Sequence, residues 1–278
     1  MNHSSLILTK QEPTKYYSRD EPYSASFPSL DYKISGDDVT FDMSVEYHCP
    51  FHYWKYYITI LGSCNGLICL QSDPELLFVW NPITNDYHKL PQAPNEPQGV
   101  VFPVKIFGFG YDCKTGDYKV VKIFMPGRVK LSKVWIYIYT LGTNSWRVLA
   151  DVPYVFFLSG ELKNGTGLNG LLRWLVHPLG RGNRPIRIVL CFDVGNEKFG
   201  EMHLPIPLCG APEGVNYFKT SIGLLDGKLC LSWYVSDGNV DVCVMKNYGV
   251  TESWTKLFRV SWLKEDNGYL RAIQSLKR

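Results

Sequence analysis

The sequence contains no hydrophobic segment long enough to cross a membrane and no hydrophobic core of a secretion signal. The longest strongly apolar run, residues 134–141, is far shorter than the roughly 18 residues that suggest a spanning helix. Near the N-terminus only residues 6–8 are consecutively apolar, which is too short for a signal peptide. These absences predict a soluble protein in the cytoplasm, with the nucleus as the alternative.

The chain also lacks a strong imbalance of charge. Its 278 residues include 29 Lys and Arg against 26 Asp and Glu, which gives a formal net charge of +3. A general nucleic-acid binder concentrates positive charge on one face, so this composition argues against that class of protein. The composition is compatible with a local basic patch. We expect neither nucleic acid nor a membrane as a partner.

No C-x-x-C pair occurs among the eight cysteines, and most of them lie inside apolar runs. The cysteines are residues 49, 64, 69, 113, 191, 209, 230 and 243. The pattern favours small buried side chains in a reducing compartment, and disulfides are the alternative.

The glycine-rich and acidic segments do not complete a cofactor or calcium motif. Gly108-Phe109-Gly110 begins like a dinucleotide fingerprint, but Cys113 occupies the position of the third small residue and no helical pattern follows. Residues 112–117 resemble the start of a calcium loop, but Ile123 stands where a bidentate Glu is required. We therefore expect no cofactor.

The sequence shows no catalytic or metal-binding constellation either. His48, Cys49 and His52 form the one dense cluster of metal-capable side chains, and no second pair of ligands completes a closed zinc site. No Gly-x-Ser-x-Gly elbow is present. These observations predict a protein without metal or catalytic residues, not an enzyme, although a propeller can assemble an active site from distant loops.

Short apolar runs bounded by Gly, Pro, Asn and Asp recur along the chain, and such runs are typical of strands joined by tight turns. In three places an apolar strand end and a later aromatic residue are seven positions apart, and in a fourth place they are nine apart. The pairs are Trp80 and Tyr87, Tyr139 and Trp146, Phe192 and Phe199, and Met245 and Trp254. The later aromatic residues follow one another at intervals of 59, 53 and 55 residues.

A repeat of this period that is built of short strands predicts an all-β fold, with antiparallel sheets in a β-propeller-like, kelch-like array. No long amphipathic helix competes with this interpretation. Stacked sheets would hide the recurring aromatic residues, so we expect Tyr87, Trp146, Phe199 and Trp254 between blades. The Asn-Gly and Asp-Gly pairs are expected to supply positive φ in turns that enter the inner strands.

The same pattern suggests how the chain is divided. Residues 1–30 are predicted to be a loosely ordered lead-in, and residues 31–278 a β-repeat domain. The repeat units are expected at about 60–92, 106–153, 166–205 and 220–260.

Seven segments together resemble the F-box-associated domain of plant F-box proteins of the kelch type, including the group of the S-locus F-box proteins. The segments, in the order of that family, are GSCNGLICL, FVWNPITNDYHKLP, FGFGYDCKTGDYKVV, IYTLGTNSWRVL, LNGLLRWLV, VLCFDVGNEKFGEMHLP and VMKNYGVTESWTKL. The double glycine of a kelch repeat is missing.

The resemblance implies that the domain binds a target protein for a cullin-based ubiquitin ligase, with self-incompatibility as one role known in the group. In such proteins an N-terminal F-box docks on a Skp-family adaptor. Residues 1–50 contain no leucine- and proline-rich helical F-box, and the chain stops at Arg278, where relatives usually have a further unit. We therefore expect adaptor and cullin as partners only if an F-box lies upstream, and a propeller that is incomplete at its C-terminus.

Candidate partner-binding residues lie in aromatic stretches and basic loops, because aromatic residues are enriched at interface hot spots and arginines can meet an acidic surface. The alternative for the aromatic stretches is that they pack between blades. The alternative for the basic loops is that they are ordinary solvated loops without a binding role. The candidates are Tyr53, Trp54, Arg128, Tyr154, Phe156, Phe157, Arg181, Arg184, Arg187 and Tyr217. Specificity is expected where the units differ, in the linkers 93–103, 125–133, 180–187 and 208–219.

Three hypotheses for function follow. The first is a target-recognition domain in ubiquitin-dependent protein degradation. The second is a stand-alone interaction scaffold or a truncated, non-functional relative. The third is a propeller hydrolase or sugar-binding protein, which would place clustered carboxylates and histidines at one end of the propeller axis.

Overall fold

The structure is a computed structural model. It describes residues 5–7, 26–35, 38–50, 58–73, 76–97, 99–100, 103–125, 134–149, 156–157, 164–178, 188–204, 220–235 and 239–261. Within these residues the chain forms strands β1 to β20 and a 3-10 turn at Thr251–Ser253, and it forms no α-helix. None of the described segments is a helix of the length and apolarity that membrane crossing requires. The predicted all-β fold of antiparallel sheets is confirmed.

The strands form five sheets, each paired in an antiparallel manner. The N-terminal sheet contains β1 (Ser5–Ile7), β2 (Ser26–Ser35) and β3 (Asp38–His48). Blade 1 contains β4 (Thr59–Cys64), β5 (Leu67–Asp73), β6 (Leu76–Trp80) and β7 (Tyr87–Lys89). Blade 2 contains β8 (Val104–Asp112), β9 (Asp117–Met125), β10 (Trp135–Thr140) and β11 (Ser145–Leu149).

Blade 3 has an additional short strand. It contains β12 (Phe156–Phe157), β13 (Thr166–Leu168), β14 (Leu171–Pro178), β15 (Ile188–Asp193) and β16 (Lys198–His203). Both β12 and β13 pair with β14, at opposite ends of it. Blade 4 contains β17 (Thr220–Leu225), β18 (Lys228–Tyr234), β19 (Asn239–Met245) and β20 (Trp254–Ser261). Blades 1 to 4 are the blades of a β-propeller.

The recurring aromatic spacing corresponds to one register position in every blade. Within the third and fourth strands of each blade, the two members of each pair lie directly opposite each other; the pairs are Trp80 and Tyr87, Tyr139 and Trp146, Phe192 and Phe199, and Met245 and Trp254. A hairpin fixes the distance along the chain between cross-strand partners, so the seven-residue spacing follows from turns of equal length. The longer spacing in blade 4 accommodates the 3-10 turn.

The innermost strands of the four blades are β4, β8, β13 and β17, because β8 contacts β4, and β13 contacts both β8 and β17. Two consecutive positive-φ residues leave the innermost strand in blades 1, 3 and 4: Asn65-Gly66, Asn169-Gly170 and Asp226-Gly227. Such pairs form the tight turns that match the twist of a hairpin. The expected positive φ is confirmed, but these turns leave the inner strands, and the expectation that they enter them was wrong.

Hydrophobic clusters fill the three seams between consecutive blades. Phe107 and Phe109 of β8 pack against Val79 and Leu90 of blade 1. Because neighbouring residues of a strand point to opposite faces, Gly108 and Gly110 face blade 3 instead. The seam between blades 2 and 3 contains Leu172 and Trp174 with the facing residues of β9 and β10, and a third cluster joins blades 3 and 4.

The recurring aromatic residues are not all buried in these seams. Trp254 is buried between blades 3 and 4, while Phe199 and Trp146 are partly buried against the seams with the preceding blade. Tyr87 is 51% exposed, which contradicts its predicted position between blades. The reason is that no four-stranded blade precedes blade 1 among the described residues: Tyr47 and Cys49 cover the inner part of this face and leave the outer strand β7 uncovered.

Glycine permits the closest approach between inner strands. A Cβ atom on Gly108 would lie 2.7 Å from Cζ2 of Trp174 and 2.8 Å from Cδ1 of Leu172, and one on Gly165 would lie 2.6 Å from the same indole. The indole Nε1 of Trp174 donates to the carbonyl oxygen of Phe107 at 2.9 Å, and the backbone N–H of Gly165 donates to that oxygen at 2.6 Å. The Gly-Phe-Gly segment that resembled a dinucleotide motif therefore serves packing between blades.

The segment 164–166 also links three inner strands by hydrogen bonds. The side-chain amide of Asn164 donates to the carbonyl of Ile60 in β4 at 2.9 Å. The hydroxyl of Thr166 donates to the carbonyl of Ile222 in β17 at 3.0 Å. Together with the bonds to Phe107, these contacts join blades 1, 2 and 4 to blade 3 at the propeller axis.

The substitution Gly108→Ala is expected to lower the free energy of unfolding by about 1–3 kcal/mol, because the new methyl group overlaps Trp174 and Leu172. Gly200→Ala is the matched control, since a Cβ there would meet nothing within 4 Å; we expect its effect to remain within about 1 kcal/mol. Urea unfolding of both variants measures the difference. Equal stabilities of the two variants would contradict the proposed close packing.

Candidate functional site

The structure places two of the ten predicted partner-binding residues. Phe156 and Phe157 form β12, opposite Pro178 and His177 of β14. The other candidates lie outside the described residues: Tyr53, Trp54, Arg128, Tyr154, Arg181, Arg184, Arg187 and Tyr217. For these eight residues the binding role stays a prediction, and for Phe156 and Phe157 the structure gives only the backbone pairing.

The strand topology nevertheless fixes where the chain around these residues is attached. In each blade, counted from the innermost strand, the turns between the first and second and between the third and fourth strands lie at one end, which we call the turn end. The connections between the second and third strands, and those between consecutive blades, lie at the opposite end, which we call the loop end. The inner strands run in the same direction. Phe107 and Asn164 form a parallel bridge, and Gly62 of β4 lies against Phe109 of β8 while Asn164 donates to Ile60. The hydrogen bond from Arg173 to Tyr248 joins the turn end of blade 3 to that of blade 4. The loop ends of all four blades therefore lie on the same side.

Every predicted partner-binding residue belongs to a segment attached to the loop end. Residues 51–57 precede β4, residues 126–134 join β9 to β10, residues 150–155 precede β12, residues 179–187 join β14 to β15, and residues 204–219 join β16 to β17. The four linkers in which specificity was expected are attached at this end as well. Connectivity alone thus attaches all of these segments to the same end of the propeller.

The described part of the first linker is anchored to blade 2. The indole Nε1 of Trp146 donates to the carbonyl of Pro91 at 2.6 Å. The carboxylate of Glu96 forms ion pairs with the Nζ atoms of Lys105, at 2.7 Å, and Lys122, at 2.5 Å. Burial alone would raise the pKa of Glu96, but the two lysines outweigh it and hold that pKa below its ordinary value. The chain from Pro91 to Glu96 is therefore fixed to blade 2 by a hydrogen bond and by ion pairs.

At the turn end, the seam between blades 2 and 3 contains a network of charged groups. Lys119 is buried, and its Nζ donates to Asp112 at 2.7 Å, to Glu197 at 2.8 Å and to the carbonyl of Val194 at 3.0 Å. Arg147 of blade 2 forms a second ion pair with Glu197. Because a buried ammonium is costly unless its donors are satisfied, the three acceptors explain how Lys119 is tolerated here.

Asp112 is the acidic group at the centre of this network. Burial alone would raise its pKa, but the hydrogen bond from Lys119 and those from the Lys114 backbone and Thr115 outweigh burial and lower the pKa to about 2. The same side chain closes the turn that resembled a calcium loop, accepting the Lys114 backbone N–H at 2.9 Å. Asp112 is thus a structural group in the folded protein.

The seam between blades 1 and 2 contains hydrogen bonds between polar side chains at the same end. The hydroxyl of Tyr139 donates to Oδ1 of Asn144 at 2.7 Å, and Nε2 of His88 lies 3.0 Å from that hydroxyl and 3.1 Å from the same Oδ1. Burial, with a smaller effect of Asp117, raises the pKa of Tyr139 to about 12. His88 therefore links blade 1 to blade 2 through hydrogen bonds.

The seam between blades 3 and 4 contains a buried arginine at the turn end. Arg173 is fully buried and donates through Nη1 to the carbonyls of Leu168, at 2.9 Å, and Leu171, at 2.8 Å. Its Nη2 donates to the hydroxyl of Tyr248 in blade 4. Each of the three seams thus has a polar link at the turn end, and the chemistry differs from seam to seam.

The described residues do not assemble a metal centre or the clustered carboxylates and histidines that a propeller enzyme would need. They contain no group of three His, Cys, Asp or Glu side chains that could hold a metal ion. On the described inner strands the one carboxylate side chain is Asp112, and it forms an ion pair with Lys119. Cys49, which the sequence places beside His48, is buried in the core next to Ile60.

None of the cysteines that the structure describes forms a disulfide. Cys49, Cys69, Cys230 and Cys243 are buried, as expected, whereas Cys113 is exposed in the turn after β8. Burial raises the pKa of the Cys64 thiol to about 11 and that of Cys230 to about 12. These buried thiols are therefore packing residues with little thiolate character.

The fold is that of a β-propeller with four-stranded blades, and sequence comparison identifies its family. The chain belongs to the family of the F-box associated beta propeller domain, whose model matches residues 23–273. The resemblance that the sequence motifs indicated is thereby confirmed.

Several relatives from Arabidopsis thaliana are similar to this chain. F-box protein At3g07870 is 32% identical over 223 residues, covering 72% of this chain and 50% of the relative. F-box protein CPR1 is 31% identical over 221 residues, covering 72% and 52%. F-box/kelch-repeat protein At3g23880 is 29% identical over 210 residues, covering 75% and 54%. The chain spans about half the length of these curated relatives.

Lowering the pH is expected to weaken the protein through Asp112. A carboxylate whose pKa is depressed in the folded state stabilises the fold above its ordinary pKa of 3.8, and this contribution is lost as the pH falls through about 2. The loss is on the order of 2 kcal/mol for such a group. Asp112→Asn should therefore show a flatter pH dependence of the unfolding free energy between pH 4 and pH 2.

Asp86→Asn, at an exposed carboxylate, is the control for this experiment. We expect it to keep the slope of the unchanged protein. The slope and not the absolute stability is the readout, because Asp112→Asn also removes a partner of the buried Lys119. A slope of Asp112→Asn identical to that of the control would contradict the role assigned to Asp112.

Proposed function

We propose that this chain is the target-recognition domain of an F-box-type subunit of a cullin-based ubiquitin ligase, and that it binds its target protein through the loop end of the propeller. The observation that carries the proposal is the attachment of all ten candidate residues to segments at the loop end, in a chain that belongs to the F-box associated propeller family. The proposal assigns no catalytic activity to this domain.

The two ends of the propeller differ in what constrains them. At the turn end, positive-φ residues recur at matching positions, and the seams are linked by Tyr139, Lys119 and Arg173. At the loop end the connections vary, from residues 74–75 in blade 1 to residues 126–134 in blade 2. Sheet geometry does not require such variation, and loops carried on a rigid scaffold are where binding residues commonly lie.

The partners follow from this assignment. The target is a protein whose surface accepts aromatic anchors and, facing Arg181, Arg184 and Arg187, offers acidic groups. A Skp-family adaptor and a cullin are partners of the whole protein if an F-box is part of it. The names of the Arabidopsis relatives support this proposal, since they are F-box proteins.

The experiment is a quantitative affinity purification from native tissue with three baits: the unchanged chain, a loop-end variant and a turn-end variant. The loop-end variant carries Arg181→Glu, Arg184→Glu and Arg187→Glu. The turn-end variant carries the same number of charge reversals at the exposed Lys198, Lys228 and Lys246. At about 0.5 kcal/mol or more for each charge reversal, we expect the loop-end variant to capture the target about tenfold less.

The turn-end variant should capture the target as the unchanged chain does. Capture that is lost only in the turn-end variant, or that is equal for all three baits, would contradict the proposed binding end. For a protein that is captured by the unchanged chain and by the turn-end variant but less by the loop-end variant, silencing the gene of the present protein should raise that target's abundance. An unchanged abundance would contradict the role in degradation.

A further inference from the structure

Arg173 is a buried cation without an anionic partner in the described part of the chain. Its contacts are the carbonyls of Leu168 and Leu171, the hydroxyl of Tyr248 and the ring of Tyr248, whose centroid lies 5.0 Å from Cζ. Buried charges in proteins are normally paired with an opposite charge, because neutral acceptors compensate the loss of water only in part. The site therefore retains an uncompensated positive charge.

One edge of the guanidinium remains available for a ligand. Nη1 is occupied by two carbonyls, whereas Nε has no hydrogen-bond partner although it is buried. Nε and Nη2 together form the edge of an arginine that binds a carboxylate with two parallel hydrogen bonds. Of these two donors only Nη2 is used, by the hydroxyl of Tyr248.

Tyr248 covers this edge from an exposed turn. Residues 246–250, which connect β19 towards β20, are all exposed, and Tyr248 itself is 46% exposed. The next residue, Gly249, has φ of +81° and open space around it. A side chain held in such a turn can move away from the guanidinium with little loss of packing.

Blade 3 has open space two strands away from the arginine, at its outer edge. Arg173 of β14 is opposite Cys191 of β15, which is opposite Gly200 of β16, so these three residues form a row across one face of the blade. A Cβ on Gly200 would meet nothing within 4 Å. The row therefore ends in open space at the outer edge of the blade.

We propose that Arg173 and Tyr248 form a carboxylate-binding site at the turn end of the seam between blades 3 and 4, in which a carboxylate replaces the Tyr248 hydroxyl and bonds to both Nε and Nη2. The carboxylate is that of an Asp or Glu side chain on a bound protein. This site goes beyond the proposed target recognition, which concerns the loop end, and either proposal can fail without the other.

The test follows the Nε–H resonance of Arg173 by NMR in the full 278-residue chain, assigned by its absence in Arg173→Lys. The probes are a capped Gly-Glu-Gly peptide, its Gly-Gln-Gly counterpart, acetate and acetamide, at constant ionic strength. We expect a saturable shift with the Glu peptide and with acetate, and none with the two neutral probes.

Tyr248→Phe keeps the ring and removes the competing hydroxyl, so it should bind the carboxylate probes about fivefold more tightly. This variant also keeps the test decisive if Arg173→Lys does not fold, because the Nε–H resonance is then identified by its response to Tyr248→Phe. A saturable shift with acetate but not with the Glu peptide would assign the site to a small free carboxylate. No saturable shift with either carboxylate, or equal shifts with the neutral probes, would overturn the proposal.

Discussion

The fit of the Trp174 indole between the inner strands of blades 2 and 3 is the constraint on which the rest of the propeller depends. The indole lies against Gly108 of β8 and against Gly165, which immediately precedes β13, at distances that leave no room for a Cβ atom. Its Nε1 and the Gly165 N–H share the carbonyl of Phe107 as acceptor. This arrangement brings the backbones close together while the polar groups remain satisfied, and it sets the spacing at which the hydrophobic seams can close.

The polar links at the turn end add specificity to this packing. Apolar seams alone would tolerate sliding of one blade past the next, whereas a buried Lys119 needs its three acceptors at defined positions. The link between blades 2 and 3 is an ion-pair network. The link between blades 1 and 2 is the hydrogen-bonded group of Tyr139, His88 and Asn144. The link between blades 3 and 4 is the hydrogen bond from Arg173 to Tyr248. The residues used in this way at the turn end are constrained by the seams, which fits the proposal that the target binds at the loop end.

The sequence predicted the repeated elements well, because hairpin register depends on local spacing. The distance from Trp80 to Tyr87 reappears as a cross-strand pair, and Asn65-Gly66 has the predicted positive φ. Burial of Tyr87 was predicted wrongly because it depends on whether a preceding blade covers β7, and the repeat contains no information on that.

Contacts between distant parts of the chain could not be predicted in the same way. Trp174 and Arg173 looked like ordinary strand residues, and their roles come from Phe107 and Tyr248, which lie far away in sequence. Two local signals were available: a charged residue in the apolar run of β14, and glycines at alternate positions in β8, which indicate close approach of another element. The candidate partner-binding residues in the segments attached to the loop end belong to no such repeat, and for this reason they were selected by composition alone.

Hydrogen exchange of the chain, alone and bound to its captured target, tests the central claim most directly. Binding at the loop end predicts slower amide exchange in residues 126–133, 180–187 and 208–219, with no change in the turns of blades 1 and 2 at residues 65–66 and 141–144. Protection of those turns, with unchanged exchange in the three loop-end segments, would contradict it.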